Sequence, residues 1–371
     1  MKKILNNLMD ALLIYKRHIK YRRHFKMLMK RQHIGNICTL GEKDYIAFWK
    51  RLYSHVEPYS YRFFRHYCGD SPYIVPEDIG HSIIEPRLNP KPFTPFYEDK
   101  NMLATLLQEG AVPRTILCRI HGDEIVDEER KKSAIEYNSS PTELFAILGG
   151  GKIILKPTIG SSSGRNIHIF EPQCNRYVSH DGKNVLDGRF LNEYGKDWVI
   201  QETIEQHVFM SHFCSSSVNT IRVNTYRSVK DEKVYILSAA VRIGHAGSIV
   251  DNLHQGGGLV GVDVETGAMR HEVLDQYGNR TSMLNGIDFA KENFRIPNWD
   301  EVKLFCKEMA FRNAHCRLIA LDIAIREDGK PVLIEWNVTP YSFSYWIPMM
   351  TGVTPLGDKT EEIVNYCIGK N

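Results

Sequence analysis

The sequence predicts an α+β fold with an ion-binding site near its C-terminal end. Three observations carry this expectation. Short strand-like segments dominate from Pro113 onward, whereas residues 1–35 show a basic helical pattern without internal Gly or Pro. A hairpin signal at Asp328-Gly329 brings two acids opposite each other between apolar runs. At 371 residues, 43% apolar and 25% charged, the chain is an ordinary globular protein, long enough for two or three subdomains.

The net charge of +3 is unevenly spread. Residues 1–35 hold ten Lys/Arg against Asp10, a local +9, which leaves −6 for the rest. Three readings of this segment stay open: a solvated helix packed on its own body, docking to an anionic membrane or membrane-bound partner, and nucleic-acid binding. Nucleic acid is the weakest, since no recognisable nucleic-acid module accompanies the charge. If the segment is a docking device, deleting residues 1–35 should abolish membrane association and spare the activity of the rest of the chain. The eight cysteines are scattered with no CxxC pair, which argues against a zinc or redox motif. No apolar run is long enough to span a membrane, and no signal-peptide pattern is seen, so a cytoplasmic location is expected, peripheral at the inner face of the membrane if the leader docks there.

Taken in order, residues 1–40 form the basic helical segment and 41–112 an N-terminal α/β region. Residues 113–203 and 204–371 form a smaller and a larger subdomain. Asp99 is placed as the N-cap of a helix over Met102–Gly110. Strands are expected at Thr115–Ile120, Lys152–Lys156, Ile167–Phe170, Trp198–Gln201, Val218–Tyr226, Val234–Ile243, Leu318–Ile325 and Pro331–Trp336. A helical pattern covers 300–316.

The C-terminal hairpin is the most informative segment. A two-residue type I′ turn at Asp328-Gly329 sets a register in which paired numbers sum to 657, so Asp322 faces Glu335 with Cβ atoms ~5 Å apart. Asn337 falls on the same face. Opposed carboxylates repel unless neutralised, and a hard divalent cation with oxygen ligands does this.

A second candidate is Lys156-Pro157 at a strand end, followed by Gly160-Ser161-Ser162-Ser163-Gly164. Small residues would let backbone N–H groups approach phosphate oxygens, with the lysine supplying a cation; a plain flexible turn is the alternative. The segment is neither a Walker A loop nor a Rossmann fingerprint. A third block contains Arg222 and Arg242 within strands, where an uncompensated buried charge is costly; they read either as anion-binding groups or as ordinary surface arginines. Asp251-Asn252 and Gly256-Gly257-Gly258 read as a mobile loop over a site, with His254 a candidate proton shuttle or a plain surface residue.

Together these segments resemble the ATP-grasp superfamily, and most closely its sugar-transfer associated domain, over roughly residues 95–345. The resemblance rests on Asp99-Lys100-Asn101, Ile154-Leu155-Lys156-Pro157 with the 160–164 loop, Val199-Ile200-Gln201-Glu202, Ser217–Arg222, Arg242 through Gly258, and Asp322 with Glu335-Trp336-Asn337. It implies two α/β subdomains clasping ATP behind an N-terminal helical extension. By the same resemblance Lys100 and Lys156 are nucleotide-binding lysines and Gly160–Gly164 a lid over the phosphates. Gln201, Glu202 and Ile204 form an adenine-reading hinge, and Glu205 reaches the ribose. Asp322, Glu335 and Asn337 hold Mg²⁺, two ions being expected. Arg222, Arg242, Asp251 and Asn252 fall to catalysis. One departure is Ala320, where ligases of the superfamily often carry an arginine; Arg222 or Arg242 is the candidate replacement. The implied activity is a carboxylate–amine ligase acting on sugar-linked acids or amines in polysaccharide assembly. A phosphotransferase and a non-catalytic ATP-binding scaffold are the alternatives.

Overall fold

In a computed structural model, residues 2–127, 129–159, 166–339 and 345–370 are described, the side chains of 2–8 and 10 excepted. Among the described residues, seven α-helices precede the first strand. They are α1 (Lys2–Arg31), α2 (Leu40–Trp49), α3 (Tyr59–Cys68), α4 (Glu77–Ile79), α5 (Glu85–Leu88), α6 (Thr94–Glu98) and α7 (Lys100–Leu106), with a π-helical turn at Gly80–Ile84 between α4 and α5. The region 41–112 is therefore helical rather than mixed. Its prolines, spaced through 72–96, interrupt helices and leave short turns instead of strands. Asp99 caps α7 as expected, its side chain accepting from the Asn101 N–H.

Two antiparallel sheets follow. The first contains β1 (Thr115–Arg119), β2 (Val126–Asp127), β3 (Ile153–Pro157), β4 (His168–Gln173), β5 (Arg176–Ser179) and β6 (Trp198–Glu202), in the order β2-β1-β6-β3-β4-β5. Helices α8 (Pro141–Leu148) and α9 (Gly188–Tyr194) accompany it, and Leu144, Leu148, Leu155, Leu191 and Trp198 share its core. A capping box between Ser140 and Glu143 starts α8, and Gly149 in the left-handed region ends it.

Beyond α10 (Val208–Phe213) lies the larger sheet: β7 (Thr220–Arg227), β8 (Val234–Ile243), β9 (Gly258–Val262), β10 (Val273–Leu274) and β11 (Arg280–Thr281). A small hairpin of β12 (Met283–Leu284) and β13 (Ile287–Asp288) and helix α11 (Trp299–Arg312) precede β14 (Leu318–Ile325) and β15 (Pro331–Asn337). The order is β11-β10-β9-β8-β7-β14-β15. Helices α12 (Trp346–Met350) and α13 (Thr360–Cys367) close the chain.

This sheet is covered on both faces. Along β14, Ile319, Leu321, Ile323 and Ile325 enter one core with Val302, Cys306 and Met309 of α11. Leu318 and Ala320 enter the other with Phe25, Leu28, Phe63, Phe64 and Trp346. Asp322 shares the face of Leu318 and Ala320 by the two-residue period of a strand. Phe25 and Leu28 of α1 are fully buried there. Residues 1–35 are thus not a detachable leader, and their deletion would open this core.

The hairpin differs from the sequence expectation. Arg326 N–H donates to Lys330 O, and Gly329 stands at φ 84°, so the loop has three residues, Glu327-Asp328-Gly329. Pairs beside the turn sum to 656, as in Ile323↔Leu333. A bulge at Ile334 then adds one residue, and Asp322↔Glu335 returns to 657. The turn is one residue longer than expected, and the acid pairing is nevertheless as expected. The bulge also places Leu333 and Trp336, three apart, in the same core while Glu335 stays on the face of Asp322.

Candidate active site

Asp322 sits between Arg222 of β7 and Glu335 of β15 in a single cross-strand row. Its carboxylate accepts from Arg222 Nε, from Arg222 Nη2 at 2.8 Å and from Arg242 Nη1 at 2.9 Å. Asp322 is 2% and Arg222 7% exposed, so this is a buried, charge-assisted contact. Arg242 also lies 3.1 Å from Asp251. Asp251 accepts from Thr220 Oγ1 and, at 3.1 Å, from the Thr220 N–H. Burial pushes the Asp251 carboxyl up, and Arg242 with Thr220 pulls against that. Burial alone would lower Arg242, but Asp251 and Asp322 outweigh it and hold its guanidinium firmly charged.

Lys100, the first residue of α7, reaches Glu335 at 3.0 Å. Its backbone N–H donates to Thr158 O, which ties α7 to the end of β3, where Lys156 lies. Burial and then the Lys100 ammonium bring Lys156 down to about 7, with Glu335 opposing. Burial pushes Glu335 up, but Lys100 and Arg222 outweigh it and hold that carboxyl at about 2. Asn337 completes the patch, its Nδ2 3.5 Å from Asp322 Oδ2 and 3.3 Å from Ala320 O.

The structure therefore gathers Lys100, Arg222, Arg242, Asp251, Asp322, Glu335 and Asn337, with Lys156 in electrostatic range. Both arginines reach Asp322, and Ala320 is buried between Asn224 and Asn337. Asn252 takes a local role: its side chain accepts from the His254 N–H. Asp251 and Asn252 are buried, and a Cβ at Gly257 would meet Ile243 O at 2.6 Å. Both ends of the segment expected to be a mobile loop are thus packed, while His254, Gln255 and Gly256 between them are exposed.

The hinge candidates are engaged elsewhere. Gln201 Nε2 donates to Pro113 O and Thr115 Oγ1, both at 3.2 Å, while its Oε1 is buried with no partner among the described residues. Glu202 lies 3.4 Å from Arg326. Ile204 is half-buried, and Glu205 is exposed with its carbonyl accepting from the Glu327 N–H. No described hydrogen bond joins these four to the ionic cluster. Residues 201–207 instead pin the first sheet to the hairpin, through the Gln206↔Arg326 bridge and His207 N–H to Ile325 O. Gly160, Ser161, Ser162, Ser163 and Gly164 lie outside the described residues.

Sequence reasoning missed three positioning residues. Thr220 anchors Asp251. Glu98 accepts from the Thr339 N–H at 2.7 Å and fixes the exit of β15. Asn89 donates to Leu318 O and Val338 O, clamping β14 to the end of β15. Nothing local distinguishes them; each acts across a gap visible only once the chain is folded. Asn101, beside Lys100, has both side-chain amide atoms buried without partners among the described residues.

A divalent cation fits the donors. Two carboxylates and an amide, whose oxygen and nitrogen exchange on a half-turn, provide hard oxygen ligands. The cluster has no surplus negative charge, because Arg222, Arg242 and Lys100 already match Asp322, Asp251 and Glu335. Such a site suits a cation that arrives with phosphates.

The family profile described as sugar-transfer associated ATP-grasp matches residues 82–362. The chain belongs to this family. A search among curated proteins found no match. Among solved structures, an ADP complex of N5-carboxyaminoimidazole ribonucleotide synthetase is similar at 12% identity and TM-score 0.37, covering 68% of this chain. This chain spans 47%, about half, of that relative. D-cycloserine synthetase aligns at 11% identity and TM-score 0.40, covering 76% of this chain and 73% of its own. L-amino acid ligase from Bacillus licheniformis aligns at 12% identity and TM-score 0.33, covering 67% of this chain and 43% of its own. The family match, with the helices and two sheets described above, bears out the mixed helix-and-sheet ATP-grasp fold expected from the sequence. No described helix is long and apolar enough to cross a membrane.

Proposed function

We propose that this ATP-grasp protein is an Mg-ATP-dependent ligase that activates a carboxylate and joins it to an amine. The observation that carries the reading is the convergence on one patch of Lys100 from α7, Lys156 from β3, and Asp322, Glu335 and Asn337 from the C-terminal hairpin. In this reading Lys100 and Lys156 bind phosphate oxygens, and the 160–164 loop covers them. Gln201, Glu202, Ile204 and Glu205 lie along the nucleoside. Asp322, Glu335 and Asn337 hold Mg²⁺, two ions in all, whose chemistry is to neutralise phosphate charge in the transition state.

The substrate carboxylate oxygen bonds to the γ-phosphorus as the bond to the β-phosphate oxygen breaks, releasing ADP. The amine nitrogen then bonds to the acyl carbon, phosphate leaves with the bonding pair, and the nitrogen loses a proton. Arg222 and Arg242, held by Asp322 and Asp251, orient the acid and offset developing charge, while Asn252 shapes the adjoining loop. No protein nucleophile is required; positioning and charge neutralisation supply the rate. The family's sugar-transfer association supports sugar-linked substrates in glycoconjugate assembly, and the reading includes a cytoplasmic enzyme at the inner face of the membrane.

The test is ADP release from Mg-ATP with hydroxylamine across uronic acids, nucleotide-sugar acids and amino acids, with Glu335→Ala in parallel. Carboxylate-dependent ADP together with a hydroxamate, both lost in the variant, is expected. ADP without hydroxamate would indicate a phosphotransferase. Absence of nucleotide binding would overturn the reading.

A further inference from the structure

Helix α1 has two faces with different partners. Ile14, His18, Tyr21, Phe25 and Leu28, spaced by four and three, turn toward the body, where Phe25 and Leu28 are fully buried. His18 Nδ1 is 2.8 Å from Asp78, and Arg17 donates to His81 O at 2.6 Å, so this face is fastened by polar contacts as well as by packing. The opposite stripe, spaced the same way, reads Met9, Leu13, Lys16, Lys20, Arg23, Met27 and Lys30, with Leu12 beside it. All of these are exposed: Met9 57%, Leu12 52%, Leu13 47% and Met27 54%. None of Lys16, Arg23 and Lys30 has an acidic partner among the described residues. Over this length the stripe runs about 32 Å along a straight helix.

We propose that this outward stripe of α1 docks the protein on an anionic lipid bilayer, lying in the headgroup plane. Three observations select that occupant. The exposed charges are all cationic and complement anionic headgroups. Met9, Leu12 and Leu13 cluster at one end of the same face, with Met27 near the other, and insertion at the acyl boundary removes them from water. A nucleic-acid backbone would match the cations and leave Met9, Leu12 and Leu13 wet. The helix is also fastened to the body through its other face, so docking requires neither unfolding nor release. It lies outside the 82–362 family match, and it supplies none of the residues at the ionic cluster. Membrane docking is thus an addition to the catalytic unit. Each cation near an anionic surface contributes roughly fivefold in affinity, so four on one line suffice for salt-sensitive binding.

The experiment uses the full chain. Sedimentation with phosphatidylglycerol/phosphatidylcholine vesicles is compared with phosphatidylcholine alone, at low and high salt, for wild type, Lys16→Glu/Arg23→Glu/Lys30→Glu, and Leu12→Ser/Leu13→Ser. The proposal expects binding to anionic vesicles only, weakened by salt. It expects a loss of at least about a hundredfold in the charge-reversal variant and of roughly tenfold in the serine variant. Both variants should keep the wild-type thermal transition and nucleotide binding, which separates this result from the fate of the ligase reading. Vesicle binding unchanged by the charge reversal, absence of binding to anionic vesicles, or binding to duplex DNA without binding to vesicles would each overturn it.

Discussion

Arg222 and Asp322 face each other across β7 and β14 and join through two guanidinium nitrogens, one of them at 2.8 Å. Both are nearly sealed from water. Removing Arg222 takes two of the three guanidinium contacts from the buried Asp322 carboxylate and leaves Arg242 to hold it, so Arg222→Ala is expected to cost about 2–3 kcal/mol in urea unfolding. Arg222→Ala/Asp322→Ala should recover part of that loss. A single-variant loss below about 1 kcal/mol would mean the pair is solvated in solution.

Lys156 carries a pH signature. Burial and Lys100 place its folded value at about 7, against about 10.5 when unfolded. Between these values the unfolded chain binds more protons, so its contribution to stability rises with pH across that window and is absent below it. Lys156→Met should flatten the rise in a thermal-melt series. At pH 8 nucleotide phosphates should drive uptake of close to one proton, read by calorimetry in buffers of different ionisation enthalpy. The Met variant should show none.

The charge balance of the cluster predicts an order for the metal. With Lys100, Arg222 and Arg242 matching Glu335, Asp322 and Asp251, Mg²⁺ alone meets no net negative charge. Calorimetry should show no binding of Mg²⁺ to the nucleotide-free protein and clear binding once ATP is present. Tight Mg²⁺ binding without nucleotide would show that the arginines leave Asp322 readily.

Phe25 tests whether α1 belongs to the core. It is fully buried against Phe63 and Phe64, with ring centroids 5.9 and 5.3 Å away. Phe25→Ala should lower stability by about 3–5 kcal/mol. Deletion of 1–35 should yield aggregated protein rather than a soluble enzyme that has lost only its docking segment.

Much of the site was legible because its signals are local or follow strand periodicity. Asp99 was readable as a cap, and Lys156 as a cation at a strand end. Asp322 and Glu335 were readable as opposed acids, although the turn has one residue more than its Asp-Gly signal implies. That pairing survives because the apolar pattern of both strands demands it: Leu333 and Trp336 must both reach the core, and the Ile334 bulge absorbs the extra residue. The hinge residues were less legible. The amide of Gln201 is spent on Pro113 and Thr115, contacts that depend on how β1 lies against β6.

By itself the sequence determined the α+β class, most strand positions, the acid pair and the concentration of positive charge in the first 35 residues, because these depend on period, turn chemistry and composition. Tertiary structure alone decided that Arg222 and Arg242 both serve Asp322, that Thr220 and Glu98 hold the site's edges, and that α1 has one buried and one exposed face. Those facts depend on which distant segments come within hydrogen-bonding distance, and spacing along the chain carries no measure of that.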